Sequence, residues 1–230
     1  MASKSYSNMQ FGNKKALLET DKAISIKEKG GWFGLTHSSI LPHYKKFKHI
    51  LRPRSPFLAI ERDPVTFSKL EQNAKMINDP RVVVLRGDLF DALFNSQPVL
   101  GYRQEKGAGI VGYHTPLFRY GHLDFCAALP GLIDECIEMN LRRLSKWWCI
   151  KSPFYLDITL AHRGGGKQAS KLFLEQYVPI IFGYRKWCVE DLKMFQYKDS
   201  SIMYTAIYKF RYTGTAAARL VEPKQGELLI

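Results

Sequence analysis

The sequence predicts an α/β protein: a mostly parallel sheet covered by helices on both faces and closed by an antiparallel C-terminal hairpin. Three observations carry that expectation. "FLAIE" (57–61) and "VVVLR" (82–86) are short apolar runs of the kind buried on both faces of a parallel sheet. Between such runs lie segments whose apolar residues recur every three or four positions, as a one-sided helix requires. Near the C-terminus, "IMYTAIYKFRY" (202–212) instead alternates with a period of two, placing Ile202, Tyr204, Ala206, Tyr208 and Phe210 on one face of a strand.

Taken in order, residues 1–29 read as a basic N-terminal arm, polar and lysine-rich over the first twenty or so positions. "WFGLT" (32–36) is a short apolar run, and 38–51 has partly helical spacing despite Pro42; "RPRSP" (52–56) breaks it. After the strand at 57–61, Asp63 is placed to cap a helix and Pro64 suits its first turn. Phe67, Leu70, Ala74 and Ile77 give that helix one apolar face, "NDP" (78–80) ends it, and "GDLFDALF" (87–94) leaves the next strand through a turn. Residues 95–120 show no clear period and read as an inserted loop or hairpin at a sheet edge. "HLDFCA" (122–127) is a short strand, and 130–144 an amphipathic helix burying Leu132, Ile133, Cys136, Ile137, Leu141 and Leu144. "KWWCIK" (146–151) is the following strand, and a helix carrying Ala169, Leu172, Phe173, Tyr177 and Ile180 follows "HRGGGK" (162–167). "KWCVEDLKMFQYK" (186–198) pairs with 202–212 as the hairpin, and 213–230 reads as a flexible tail. One domain over 30–212 is the expectation.

Lysine and arginine number 34 against 21 acidic residues, a formal charge of +13. Such an excess speaks for a polyanionic partner, nucleic acid first and an anionic membrane surface second. No apolar run reaches the length of a membrane span, and "MASKSYSNMQF" lacks the apolar core of a secretory signal, so a cytoplasmic location is expected. Cys126, Cys136, Cys149 and Cys188 form no C-x-x-C pair, and no metal site is predicted.

In open α/β sheets, ligands bind outside the carboxyl ends of the strands. Here three strand ends carry an acid: Glu61, Asp88 and Asp124. That series, with the terminal hairpin, resembles the class I S-adenosylmethionine-dependent methyltransferases, a Rossmann-like three-layer sandwich, over almost the whole of 30–212. The resemblance implies S-adenosylmethionine as cofactor. It makes Glu61, with Arg62 beside it, the acceptor for the ribose hydroxyls; two carboxylate oxygens suit a vicinal diol. Gly87 and Asp88 would meet the adenine amino group and Leu89 would pack on the base, though Asp88 reads equally well as a helix cap. The glycine-rich turn of the family is replaced by "KGGWFGLTHSS" (29–39), leaving Gly34, Thr36, His37 and Ser38 to hold the methionine part. Asp124, Phe125 and Cys126 fall where the family has its catalytic motif. The acid is present, both prolines of the amino-methylating pattern are missing, and Cys126 lacks the proline expected before a nucleophile. His162, Arg163 and Lys167 in "HRGGGK", with Lys45, Lys46 and Arg52 in a second basic cluster, are the expected nucleic-acid contacts; a solvated helix face explains the second cluster as well. Phe125 or Tyr113 would stack an extruded base.

The implied function is methyl transfer to a nucleic acid base. A domain of the same fold that has lost catalysis and binds nucleic acid or protein, and a doubly wound nucleotide-binding protein of another class, are the alternatives.

Overall fold

The computed structural model describes residues 4–6, 28–36, 40–52, 55–95, 117–125, 137–147, 149–162, 167–198 and 202–214. Of the predicted features, His37, Ser38, Tyr113, Cys126, Arg163, most of the 95–120 insertion and the tail beyond 214 lie outside the described residues. The chain forms two compact units: one holds Ile24–His122 with Cys149–Lys151, the other Met1–Ala23, Leu123–Trp148 and Ser152–Ile230. The architecture is Rossmann-like α/β, with mostly parallel strands and an antiparallel C-terminal hairpin.

In the first unit, β2 (Gly31–Leu35), β3 (Phe57–Glu61) and β4 (Val82–Arg86) are joined by α1 (Ile40–Phe47) and α2 (Pro64–Ile77), and α3 (Leu89–Asn95) follows β4. β5 (Phe118–Phe125) pairs with the free side of β2, and the pairs β2–β5, β2–β3 and β3–β4 are all parallel. The predicted cap forms: the Thr66 amide donates to Asp63 Oδ2 at 2.6 Å, Pro64 occupies the first turn, and Asn78 closes α2 in the left-handed conformation. The core is aromatic. Trp32 is fully buried, stacks on Phe57 at 4.3 Å between ring centroids, and packs with Phe47 and His43 of α1.

The second unit holds α4 (Ile137–Lys146), most of β6 (Ile150–His162), α5 (Lys167–Leu172), α6 (Val178–Gly183), β7 (Trp187–Lys198) and β8 (Ile202–Tyr212); a π-helical turn, Phe173–Tyr177, joins α5 to α6. β8 lies between β6 and β7, antiparallel to both. The predicted face of β8 is buried: Phe210 stacks on Phe182 of α6 and on Tyr208, whose hydroxyl donates to the Leu174 carbonyl. Two expectations need correcting. Lys4–Tyr6 of the N-terminal arm form a strand, β1, parallel to β7. The strand read at 146–151 begins at Ile150 and runs on to His162, because Pro153 interrupts the sequence pattern just before pairing with β8 starts at Phe154.

Candidate functional site

β2, β3 and β4 are laid down outward in one direction, and β5 then returns to the other side of β2. The strand order therefore reverses between β2 and β5, the arrangement that opens a ligand crevice at the carboxyl ends. Register aligns those ends: Leu35 sits opposite Ile60, and Glu61 opposite Arg86. Thr36 follows the last residue of β2, and Glu61 and Arg86 are paired at the ends of β3 and β4.

Glu61 is half-buried at the tip of β3, and the Asp63 amide donates to its Oε1 at 2.8 Å. Among the described residues nothing donates to Oε2. Arg62 and Asp63 are exposed, and Asp63 is occupied as the cap of α2. The amide of Gly87 donates to the Glu61 carbonyl at 3.0 Å, with φ at 147° and open space where a Cβ would stand. Asp88 caps α3: the Phe90 amide donates to Oδ1 at 2.9 Å and that of Asp91 at 3.4 Å, while nothing described donates to Oδ2. The cap reading of Asp88 thus holds, and half of the carboxylate remains open. Leu89 is buried in the protein. Thr36 is 1% exposed, and its Oγ1 has no hydrogen-bond partner among the described residues. An orphaned buried hydroxyl is costly unless something else engages it.

Gly34 has a packing reason for lacking a side chain: a Cβ there would fall 2.5 Å from the His122 carbonyl oxygen and 2.7 Å from the His122 Cβ. His122 and His43 are both buried, with rings 5.9 Å apart and each beside Trp32. Nothing in the sequence marked this cluster, because its members come from three separate elements.

Thr36, Glu61, Gly87 and Asp88 thus stand at the carboxyl ends of three neighbouring strands of the first unit, with Gly87 bonded to Glu61. Asp124 and Phe125 are the last residues of β5 and belong to the second; Asp124 is 8% exposed. His162 ends β6 and Lys167 opens α5. Lys45 and Arg52 are exposed, whereas Lys46 is half-buried with its ammonium 5.8 Å from the centre of the Phe47 ring. Lys45 and Lys46 stand in the last turn of α1, where cations also stabilise the helix. Cys149 is buried and its thiol pushed up to about 12 by desolvation, which leaves it an inert core residue. Among the described residues no group of His, Cys, Asp or Glu is arranged to hold a metal ion.

No protein-family model matches the sequence, and no curated protein does. Solved structures do match in three dimensions. The N-methyltransferase NodS from Bradyrhizobium japonicum WM9 aligns with a TM-score of 0.52 at 10% identity, over 85% of this chain and 94% of that one. The fold is that of the class I methyltransferases. The precorrin-6y C5,15-methyltransferase from Geobacter metallireducens GS-15 aligns at 0.50 and 10% identity, covering 89% and 93%. The putative methyltransferase yhhF from Escherichia coli also aligns at 0.50 and 10%, covering 86% and 84%. The chain spans 65% of the length of the METTL16 methyltransferase domain, which it also matches. In this fold, Thr36, Glu61, Arg86 and the turn Gly87–Asp88 lie at the carboxyl ends of β2, β3 and β4.

Proposed function

We propose that the protein is an S-adenosylmethionine-dependent methyltransferase acting on nucleic acid. One observation carries the reading: at the carboxyl ends of β2, β3 and β4, acceptor oxygens of two carboxylates and a buried hydroxyl have no hydrogen-bond partner among the described residues. That set of acceptors fits the adenosyl part of the cofactor. Glu61 Oε2 offers an acceptor to a ribose hydroxyl and Asp88 Oδ2 one to the adenine amino group, while Gly87, without a side chain, leaves room beside them. The Thr36 hydroxyl supports a carboxylate or amine near the β2 tip, with His37 and Ser38 following it in the chain.

When bound, the cofactor supplies an electrophilic methyl group on a sulfonium. The chain's task is then to hold a target nitrogen in line and to exclude water. Asp124, nearly buried at the end of β5, accepts a hydrogen bond from the target amine, which aims the nitrogen lone pair outward. Phe125 presents a ring to the extruded base, which chemistry on a paired base requires. The formal charge of +13 supports nucleic acid as the polyanion. Among the described residues no helix is long and apolar enough to cross a membrane.

The test is calorimetric titration with S-adenosylmethionine. Wild-type protein binds saturably, and Glu61→Ala weakens binding by about 10- to 100-fold, the worth of a charge-assisted hydrogen bond. Absence of saturable binding refutes the enzyme and leaves a binding module of the same fold. Preference for another nucleotide points to a different class of nucleotide-binding protein. For the partner, affinity for nucleic acid falls steeply as salt rises; a flat response removes nucleic acid.

A further inference from the structure

The second unit carries a surface that methyl transfer does not use. α4 ends in "LRRLSK" (141–146), and α6 is followed by the turn "YRK" (184–186). Together these segments hold Arg142, Arg143, Lys146, Arg185 and Lys186 and no carboxylate. They meet in space. The Arg142 guanidinium lies 5.4 Å from the centre of the Tyr184 ring, and Lys146 stands one helical turn further along the same face of α4. The indole of Trp187 donates to the Ser145 carbonyl at 2.9 Å, fastening the start of β7 to the last turn of α4. Glu138 pairs with Arg142 at 2.6 Å from the turn before.

The rings on this surface are planted on fixed backbone. The amides of Arg185 and Lys186 donate to the Phe182 and Gly183 carbonyls at 2.9 and 3.0 Å, closing the turn beneath Tyr184. The Lys186 carbonyl accepts from the amide and the hydroxyl of Thr213, at 2.8 and 3.1 Å. Tyr212 packs edge-on against Trp187 at 5.3 Å, and its amide donates to Ser152 Oγ at 3.1 Å. Tyr184 and Tyr212 are nevertheless 52% and 50% exposed. Tyr184, with Arg142 against its ring, and Tyr212, next in sequence to the Thr213 that bonds Lys186, match a ligand that is both anionic and flat-faced.

We infer that this face docks single-stranded nucleic acid, with phosphates on Arg142, Lys146, Arg185 and Lys186 and bases stacked on Tyr184 and Tyr212. Ser152 marks this end of β6 and His162 the other, ten residues away. At about 3.3 Å per residue the two ends lie about 33 Å apart. Chemistry in such folds sits at carboxyl ends, so the patch, at the amino end of β6, holds the strand flanking the target and not the target itself. The inference rests on the nucleic-acid reading for its partner and is independent of the cofactor.

Fluorescence anisotropy with labelled single-stranded oligonucleotides of about 20 and about 6 nucleotides tests it. Arg185→Glu/Lys186→Glu weakens binding of the longer strand at least tenfold and flattens its salt dependence. Lys69→Glu/Lys75→Glu on α2, an equal change of charge, has a much smaller effect. Tyr184→Ala weakens the longer strand about 5- to 100-fold, as loss of a stacking platform does, but leaves binding of heparin, which has no bases, unchanged. The inference is overturned if Tyr184→Ala binds like wild type, if patch reversal matches the α2 control, or if only phosphatidylserine vesicles respond to these substitutions. Circular dichroism checks that each variant folds. Cofactor calorimetry separates the two proposals: patch-dependent oligonucleotide binding without cofactor binding refutes the enzyme and keeps the docking face, whereas cofactor binding without oligonucleotide binding does the reverse.

Discussion

The two ends of β3 and β4 treat their polar groups in opposite ways. At the amino ends Asp79 and Arg81 are spent on protein. Asp79 accepts the Tyr44 hydroxyl at 2.5 Å, the Arg81 amide and Nε at 2.9 Å each, and a terminal guanidinium nitrogen at 2.6 Å; the other terminal nitrogen donates to the Leu51 carbonyl at 2.8 Å. At the carboxyl ends, Glu61 and Asp88 each accept on one oxygen and have no donor to the other among the described residues, and Thr36 has a buried hydroxyl with no described partner. Same strands, same unit, opposite economy. A carboxylate that ties loop to strand has its acceptors filled, because an unfilled one costs stability; a carboxylate that waits for a ligand has to leave some open. The contrast supports the proposed site at the carboxyl ends and makes the Asp79–Arg81–Tyr44 cluster a brace at the amino ends.

If the brace is structural, breaking it moves stability and nothing else. Arg81→Leu removes the guanidinium and leaves the Asp79 side chain, 10% exposed, with Tyr44 as its remaining side-chain partner. The expected loss is about 2–3 kcal/mol in urea unfolding, with cofactor affinity per folded molecule unchanged. A drop in affinity without a drop in stability would erase the distinction between the two ends.

Acid gives a slightly smaller effect with a defined sign. The Arg81 hydrogen bonds hold the Asp79 carboxyl down from 3.8 to about 2. Because the folded value is depressed, the stabilisation is complete above about 3.8 and is lost as pH falls through about 2. The shift corresponds to about 2 kcal/mol. Unfolding free energy measured between pH 4 and pH 2 should therefore fall more steeply for wild type than for Arg81→Leu. Equal slopes would show that Asp79 is not held by Arg81 in solution.

Much of the open end was legible in the sequence and the brace was not. The apolar run before Glu61, and Asp63–Pro64 after it, announce a buried strand and a capped helix through local chemistry alone. The period-two pattern of 202–212 announces the hairpin strand for the same reason. Tyr44, Asp79 and Arg81 give no such signal, since Tyr44 stands 35 positions from Asp79 and only the fold brings them together. "NDP" read as the end of a helix, which it is; that its aspartate also anchors Tyr44 is tertiary information. Asp88 is ambiguous from the sequence because a cap and a ligand acceptor use the same residue type; in the structure one oxygen serves the cap, and the other has no donor among the described residues. Gly34 was read as part of a cofactor loop, and only the distance to His122 reveals the strand packing that requires it.

The smallest expected effect separates site from brace most sharply. Thr36→Val keeps the shape of the side chain and replaces the orphaned hydroxyl with a methyl group. At a satisfied position this exchange costs stability, because a buried partner loses its bond. At Thr36 no described partner exists to be stranded, so the variant is expected to be as stable as wild type or more stable by up to about 1 kcal/mol. If the hydroxyl is kept for a ligand, the same variant binds S-adenosylmethionine more weakly, by about three- to tenfold for one neutral hydrogen bond. Stability and binding then move in opposite directions from one oxygen atom, the signature of a polar group retained for function against the interest of the fold. Lower stability together with unchanged affinity would instead make Thr36 part of the scaffold and take the β2 tip out of the site.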